Sequence, residues 1–231
     1  MAIPSLEIQI ETAWCLTNIA CGDSSQVQLI IPAIPHLIQL LSHPNEVLQD
    51  QVCWALGNIA GDSDEVRSVL VAGGAVHAVS ELLFSSSADM LGMAASETES
   101  VDRRPLTAVW ALSNLSRGST PFAAFSSNDV IARFFKLIKT CITVLTSEKS
   151  RDDQGGIVYG QESPFLKPCI ELVHELTWTL TFITAKDDSD MTAMLTEDLG
   201  RILCESVFIF PAGSQMVFFY AKKSFMHIVI K

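Results

Sequence analysis

All four tryptophans of the chain, Trp14, Trp54, Trp110 and Trp178, open near-copies of one short segment. The copies read WCLTNIACGD, WALGNIAGDS, WALSNLSRGS and WTLTFITAKD. In the first three an asparagine follows four residues later, at Asn18, Asn58 and Asn114; in the fourth, Phe182 takes that place. Residues four apart on a helix share a face, one turn from each other. A carboxamide carries both a donor and an acceptor, matching the amide and carbonyl that an extended peptide presents at regular intervals. Neighbouring indoles make slots for the methylene stems of Lys or Arg, with a cation–π attraction of about 0.5–2 kcal/mol each. Asp62, Glu171 and Glu175 then meet the charged heads. This is the chemistry of reading a basic, extended peptide. One tryptophan in a helix is more often core, but three pairs with one offset are not explained by packing alone.

The elements that carry these pairs are helices. In NEVLQDQVCWALGNIAG the apolar positions Val47, Leu48, Val52, Ala55, Leu56 and Ile59 recur at steps of three and four, and Gly61 is the expected stop. Ahead of it AIPHLIQLL reads as a second helix, and SSQVQLII as a short first one capped by Ser24 or Ser25. The same order, short helix, helix, long helix, returns in DSDEVRSVLVAGG, AVHAVSELLF and RRPLTAVWALSNLSRG. Successive tryptophans lie 40, 56 and 68 residues apart. The first spacing suits an array of armadillo or HEAT units. The longer two become comparable if residues 85–102 and 146–164, polar and without sustained period, are loop insertions. The helical units are then about 1–22, 23–61, 62–118, 119–184 and 185–207, followed by an atypical apolar tail over 208–231. Such units bury their apolar faces only by stacking on neighbours.

Composition narrows the function classes. The formal net charge is −11, which opposes attraction to nucleic acid or to an anionic membrane and favours basic partners. The six cysteines form no CxxC pair, and those inside apolar helical pattern are expected to act as small hydrophobes. The apolar run near the C-terminus is broken by Pro211, Gly213, Ser214 and Gln215, so no membrane span is expected. The five histidines show no metal-ligand spacing, and no nucleophile elbow, phosphate loop or HExxH occurs. His174 and Glu175 are adjacent, and neighbours on a helix do not face each other. His36 and His77 are expected to be partly buried. An enzyme is not expected, nor a metal or cofactor.

The quoted segments resemble the importin-α (karyopherin-α) family. TAWCLTNIACG is similar to that family's second-repeat ladder helix, QVCWALGNIAGDS to its third, and TAVWALSNLSRG with the following PF to its fourth. LTWTLTFITAKDD resembles the fifth, where the family also places an aromatic in the asparagine position. The resemblance covers roughly residues 7–204. It implies an all-α fold, a right-handed superhelical armadillo-repeat solenoid, truncated at both ends in this chain. It also implies a concave groove that binds lysine/arginine-rich nuclear localisation signals of cargo proteins. Carried over by position, the peptide-binding residues are Trp14, Asn18, Gly22, Gln51, Trp54, Asn58, Asp62, Trp110, Asn114, Arg117, Glu171, Glu175 and Trp178. Among them Gly22 and Asp62 match the family's glycine and its lysine-binding aspartate.

Two departures stand out: Val27 where the family has a groove threonine, and Thr107 where it has an asparagine three residues before the tryptophan. No segment resembles the importin-β-binding domain, so recruitment of importin-β through this chain is not expected. The function expected is that of a nuclear import adaptor-like protein in cytoplasm and nucleus. The alternative is a general armadillo scaffold for protein–protein interaction, of the catenin kind, without nuclear-signal binding.

Overall fold

The computed structural model describes residues 5–92, 102–120, 122–126, 129–147, 149–151, 157–159 and 166–184. The unit expected over 185–207 and the tail over 208–231 lie outside the described residues. The chain begins with α1 (Leu6–Ala20), then α2 (Ser24–Ile30), a 3₁₀ turn (Ile31–Ala33), α3 (Ile34–Leu40) and α4 (Glu46–Asp62). It continues through α5 (Asp64–Ala72), α6 (Ala75–Gly92) and α7 (Arg104–Leu115). A single-turn α8 (Ala123–Ser126), then α9 (Val130–Ser147) and α10 (Leu166–Thr184), complete the helices. Between α9 and α10, β1 (Lys149–Arg151) and β2 (Ile157–Tyr159) pair antiparallel, with Ser150 opposite Val158. This two-stranded ribbon is a departure from a purely helical chain, within the segment expected to be a loop.

Local chemistry sets the helix ends. Asp23 caps α2, accepting from the backbone N–H of Gln26, whose side chain accepts in return from the N–H of Asp23. Ser25 donates to the same Asp23 carboxylate. Asp23, not Ser24 or Ser25, is therefore the cap, because only it can close the reciprocal pair. That Ser25 hydroxyl and the backbone N–H of Gln26 hold the Asp23 carboxyl below its ordinary pKa. Asn45 caps α4 through the N–H of Leu48 at 2.9 Å. Helix α4 does not stop at Gly61 but runs to Asp62, and Ser63, in extended conformation, both ends it and caps α5. The break falls where a new cap is available, not where glycine lowers helix propensity. Helix α5 does end on glycine: Gly74 has φ +85°, a conformation that favours a residue without Cβ.

A second difference concerns residues 85–92, expected to belong to an insertion and found inside α6. Ser85 and Ser86 donate back to the carbonyls of Glu81 and Leu82, so these hydroxyls are satisfied within the helix. Ser86 and Ser87 are buried.

The long third helices stack in chain order: α4 packs between α1 and α7, and α7 between α4 and α10. Helix α4 shows the consequence. Leu48, Val52, Cys53, Ala55, Leu56, Ile59 and Ala60 are all buried. That is more of the circumference than one apolar stripe, as suits a helix with neighbours on two sides. Trp54 is left exposed and Asn58 half-buried. Burial pushes the Cys53 thiol well above the ordinary range, and it packs as a hydrophobe; Cys15, by contrast, is exposed. Arg104, at the start of α7, ties that helix to α4: it donates to Gln49 Oε1 at 2.7 Å and Glu46 Oε1 at 3.0 Å. It also pairs with Asp102 at 2.7 Å. Among the described residues no single helix is long and apolar enough to cross a membrane.

Candidate peptide groove

The stacking of α1, α4, α7 and α10 brings the four tryptophan-bearing helices side by side. The tryptophan stripe sinks along the array: Trp14 is 42% exposed and Trp54 40%, while Trp110 and Trp178 are half-buried. Trp14 and Trp54 touch edge to face, with ring centroids 5.8 Å apart and planes at 73°. That is closer than a helix diameter, so these two indoles fill the space between their own helices. Trp54 and Trp110 instead border a cavity of about 270 Å³, lined also by Asp50, Arg103, Leu106 and Thr107. Trp110 rests on α4 at Gly57, where a Cβ would stand 2.3 Å from Trp110 Cζ3.

The asparagines are placed differently from the sequence expectation. Asn58 Nδ2 donates to the Thr17 carbonyl at 3.4 Å and to Cys21 Sγ at 3.2 Å. Asn114 Nδ2 donates to the Gly57 carbonyl at 3.0 Å and is only 4% exposed. Each carboxamide therefore reaches back to the preceding ladder helix, and its donor side is engaged within the protein. Asn18 is exposed. In the fourth copy the same position is aromatic: Phe182 lies 5.0 Å from Trp178 in a T-shaped pair, and the Arg117 guanidinium sits 5.5 Å from the Phe182 centroid. A cation–π contact thus replaces the amide–carbonyl bond as the link to the preceding helix.

At the α1–α2 turn, Ser24 Oγ donates to Asp62 Oδ1 at 2.6 Å. This ties the turn that carries Gly22 to the end of α4. The second oxygen, Asp62 Oδ2, is buried without a partner among the described residues. Gly22 is itself exposed; a Cβ there would strike Gln26 Oε1 at 1.8 Å, the oxygen that completes the capping box. Gln51 is half-buried, with Oε1 unpartnered among the described residues. Val27 is 1% exposed and belongs to the core, so its methyls seal the interior rather than line the groove. Glu171 pairs with Lys167 at 3.8 Å. Glu175 meets His174 Nδ1 at 3.3 Å: the two neighbours do face each other, since flexible side chains bridge the angle between adjacent helical positions. His36 and His77 are exposed, not partly buried; His36 borders a cavity between α1 and α3 and keeps contact with solvent there.

Sequence reasoning missed Asp50, Leu106 and Arg103 as cavity-lining residues. Asp50 and Leu106 each lie four positions before a tryptophan, so the helical offset that selects the asparagines also points to them, in the opposite direction. Gly57 carried no signal, because its role depends on an indole 53 residues later in the chain.

Comparison with known proteins fits this architecture. The family model for the armadillo/β-catenin-like repeat matches residues 23–61, the stretch from Asp23 to the last turn of α4. Importin subunit alpha-2 of Oryza sativa subsp. japonica is 30% identical over 200 residues, covering 86% of this chain and 31% of its own length. Importin subunit alpha-9 of Arabidopsis thaliana is 26% identical over 197 residues, 85% of this chain and 31% of its own. These are importin-α-like armadillo repeats. The importin-α-like portion spans about a third of the length of those curated relatives. Among solved structures, a designed armadillo repeat protein in complex with the peptide (KR)4 is similar in fold, with TM-score 0.59 at 20% identity, over 98% of this chain and 77% of its own. The fold is thus the expected all-α armadillo-repeat solenoid, with the ribbon of β1 and β2 added to it.

Proposed function

We propose that the face carrying Trp14, Trp54 and Trp110 binds an extended, lysine/arginine-rich peptide. The peptide class is the nuclear localisation signal of cargo proteins, and the chain acts as an adaptor-like binding module of nuclear import, in cytoplasm and nucleus, not as an enzyme. The observation that carries this reading is the Asp62 carboxylate. One oxygen is held by Ser24 and the other is buried without a partner among the described residues, beside the turn of Gly22 and on the helix that exposes Trp54. A buried carboxylate oxygen with no donor is costly unless something supplies one, and an ammonium group does so while its methylene stem lies along indole. Glu171 and Glu175 are proposed to meet a further basic residue at the other end. The importin-α relatives and the designed repeat protein that binds (KR)4 support the peptide class.

The alternative of a general armadillo scaffold draws on a separate observation. The Nδ2 groups of Asn58 and Asn114 are already bonded to helix carbonyls, so less of the ladder is free to hold a peptide backbone.

A titration with a lysine-rich signal peptide, followed by tryptophan fluorescence, tests the proposal. Saturable binding at micromolar concentration or tighter, weakened by Trp54→Ala, by Asp62→Lys and by replacing the peptide's lysines, is expected. A helical, monomeric sample that leaves the peptide unbound overturns the signal-binding reading and leaves the scaffold.

A further inference from the structure

The cavity between Trp54 and Trp110 differs in charge from the surroundings of Asp62. It is lined by Asp50, whose Oδ1 is buried with no hydrogen-bond partner among the described residues. It is lined also by Arg103, an exposed cation at the N-cap position of α7. A positive side chain at a helix N-terminus opposes the helix dipole, so the dipole does not favour it there. Glu46 and Asp102 both pair with the neighbouring Arg104, which is buried. Arg103 has no ion pair of its own among the described residues, and its backbone carbonyl accepts the Thr107 hydroxyl at 3.4 Å. The remaining lining is the two indoles, Leu106 and Thr107.

Resting on the peptide-binding reading above, we infer that this slot selects an uncharged carboxamide side chain, Gln or Asn, at one position of the bound peptide. Arg103 is the residue that excludes Lys and Arg there. A lysine entering the slot gains Asp50 but meets Arg103; a glutamate gains Arg103 but meets Asp50. A carboxamide offers its NH2 to Asp50 Oδ1 and its carbonyl to the guanidinium, with no like charge opposed. Its planar group suits the space between two indoles. At about 270 Å³ the cavity lies near the lower end of ligand-pocket sizes, as suits one side chain rather than a small molecule. The basic residues of the peptide are read elsewhere, at Asp62 and at Glu171 and Glu175.

The test is a position scan. Each residue of a lysine-rich peptide is replaced in turn by Gln, Lys and Glu, and its affinity measured at low salt for the wild type, Arg103→Ala and Arg103→Gln. At one position the wild type is expected to prefer Gln over Lys by about twofold to fivefold, the range of a partly exposed charge contact. Both variants reverse that preference to Lys, and the other positions keep theirs. If the wild type prefers Lys at every position, or if the variants strengthen all lysine positions alike, the slot inference is overturned while peptide binding stands. If none of the three proteins binds any lysine-rich peptide while circular dichroism shows them folded, the groove reading falls, and the slot inference with it.

Discussion

Residues of one sequence motif do different work along this groove. Asn18, Asn58 and Asn114 share an offset from tryptophan, yet Asn18 is exposed and Asn114 is buried with its amide on the Gly57 carbonyl. Replacing Asn114 by Ala removes that bond and leaves a buried carbonyl with one partner fewer, costing about 1–3 kcal/mol. Asn18→Ala is expected to cost under about 0.5 kcal/mol, as for an exposed surface position. Urea unfolding of the two variants checks the contrast, and equal losses would mean that the buried bond contributes nothing particular. Gly57 supplies a second case. Alanine there gains about 1 kcal/mol in helix propensity. Against that, its Cβ meets the Trp110 ring at 2.3 Å and the Ala111 Cβ at 3.2 Å, and overpacking of this kind costs about 1–3 kcal/mol. The ring loses the position that frames the slot, so Gly57→Ala is expected to destabilise and to shift tryptophan emission together. A stabilised variant with unchanged emission would refute the close approach.

At the scale of elements, the junctions between helices depend on side-chain caps and ion pairs. Asp64 in the first turn of α5 accepts from Arg67 and from the backbone N–H of Ser119, beyond α7. The Arg67 hydrogen bond is the main reason that its carboxyl titrates below the ordinary value of 3.8. A carboxylate depressed in the folded state adds stability that is fully present above its unfolded pKa. That stability is lost as pH falls through the lower folded value. Asp64→Asn is therefore expected to melt below the wild type by a constant margin at neutral pH, a margin that closes in acid below about pH 4. Thermal melts across that range report it, and a margin independent of pH would exclude the ion pair as its source. Element boundaries were the least legible part of the sequence. The stop of α4 moved from Gly61 to Asp62 because Ser63 offers a cap to α5, a competition that propensity alone does not rank. Residues 85–92 look polar in sequence, but serine hydroxyls that bond back to the preceding turn make them compatible with α6.

For the molecule as a whole, charge and stacking act together. A formal net charge of −11 attracts a basic peptide over distances longer than any single contact. Raising salt from 0.1 M to 1 M shortens the screening length from about 10 Å to about 3 Å, and binding of a lysine-rich peptide is expected to weaken about tenfold. The loss caused by Trp54→Ala should persist at both salts, since burial of methylene stems is not screened. Titrations at the two ionic strengths distinguish these contributions, and salt-independent affinity would argue that charge plays no part.

The sequence by itself determined the helices, their three-part repetition and the shared offset of tryptophan and asparagine. All of these are local periodicities, set by 3.6 residues per turn and by the chemistry within one segment. Only the tertiary structure decided how that ladder is used. It put Trp14 against Trp54, opened a cavity between Trp54 and Trp110, buried Asn114 and Val27, and brought Arg103, without an ion pair among the described residues, to the same cavity as Asp50. Each of these depends on where one helix lies against another dozens of residues away, and that is fixed by packing in which a missing Cβ at Gly57 or the reach of Arg104 selects the fit. A repeat pattern specifies that such helices stack; the side chains between them specify what the groove will accept.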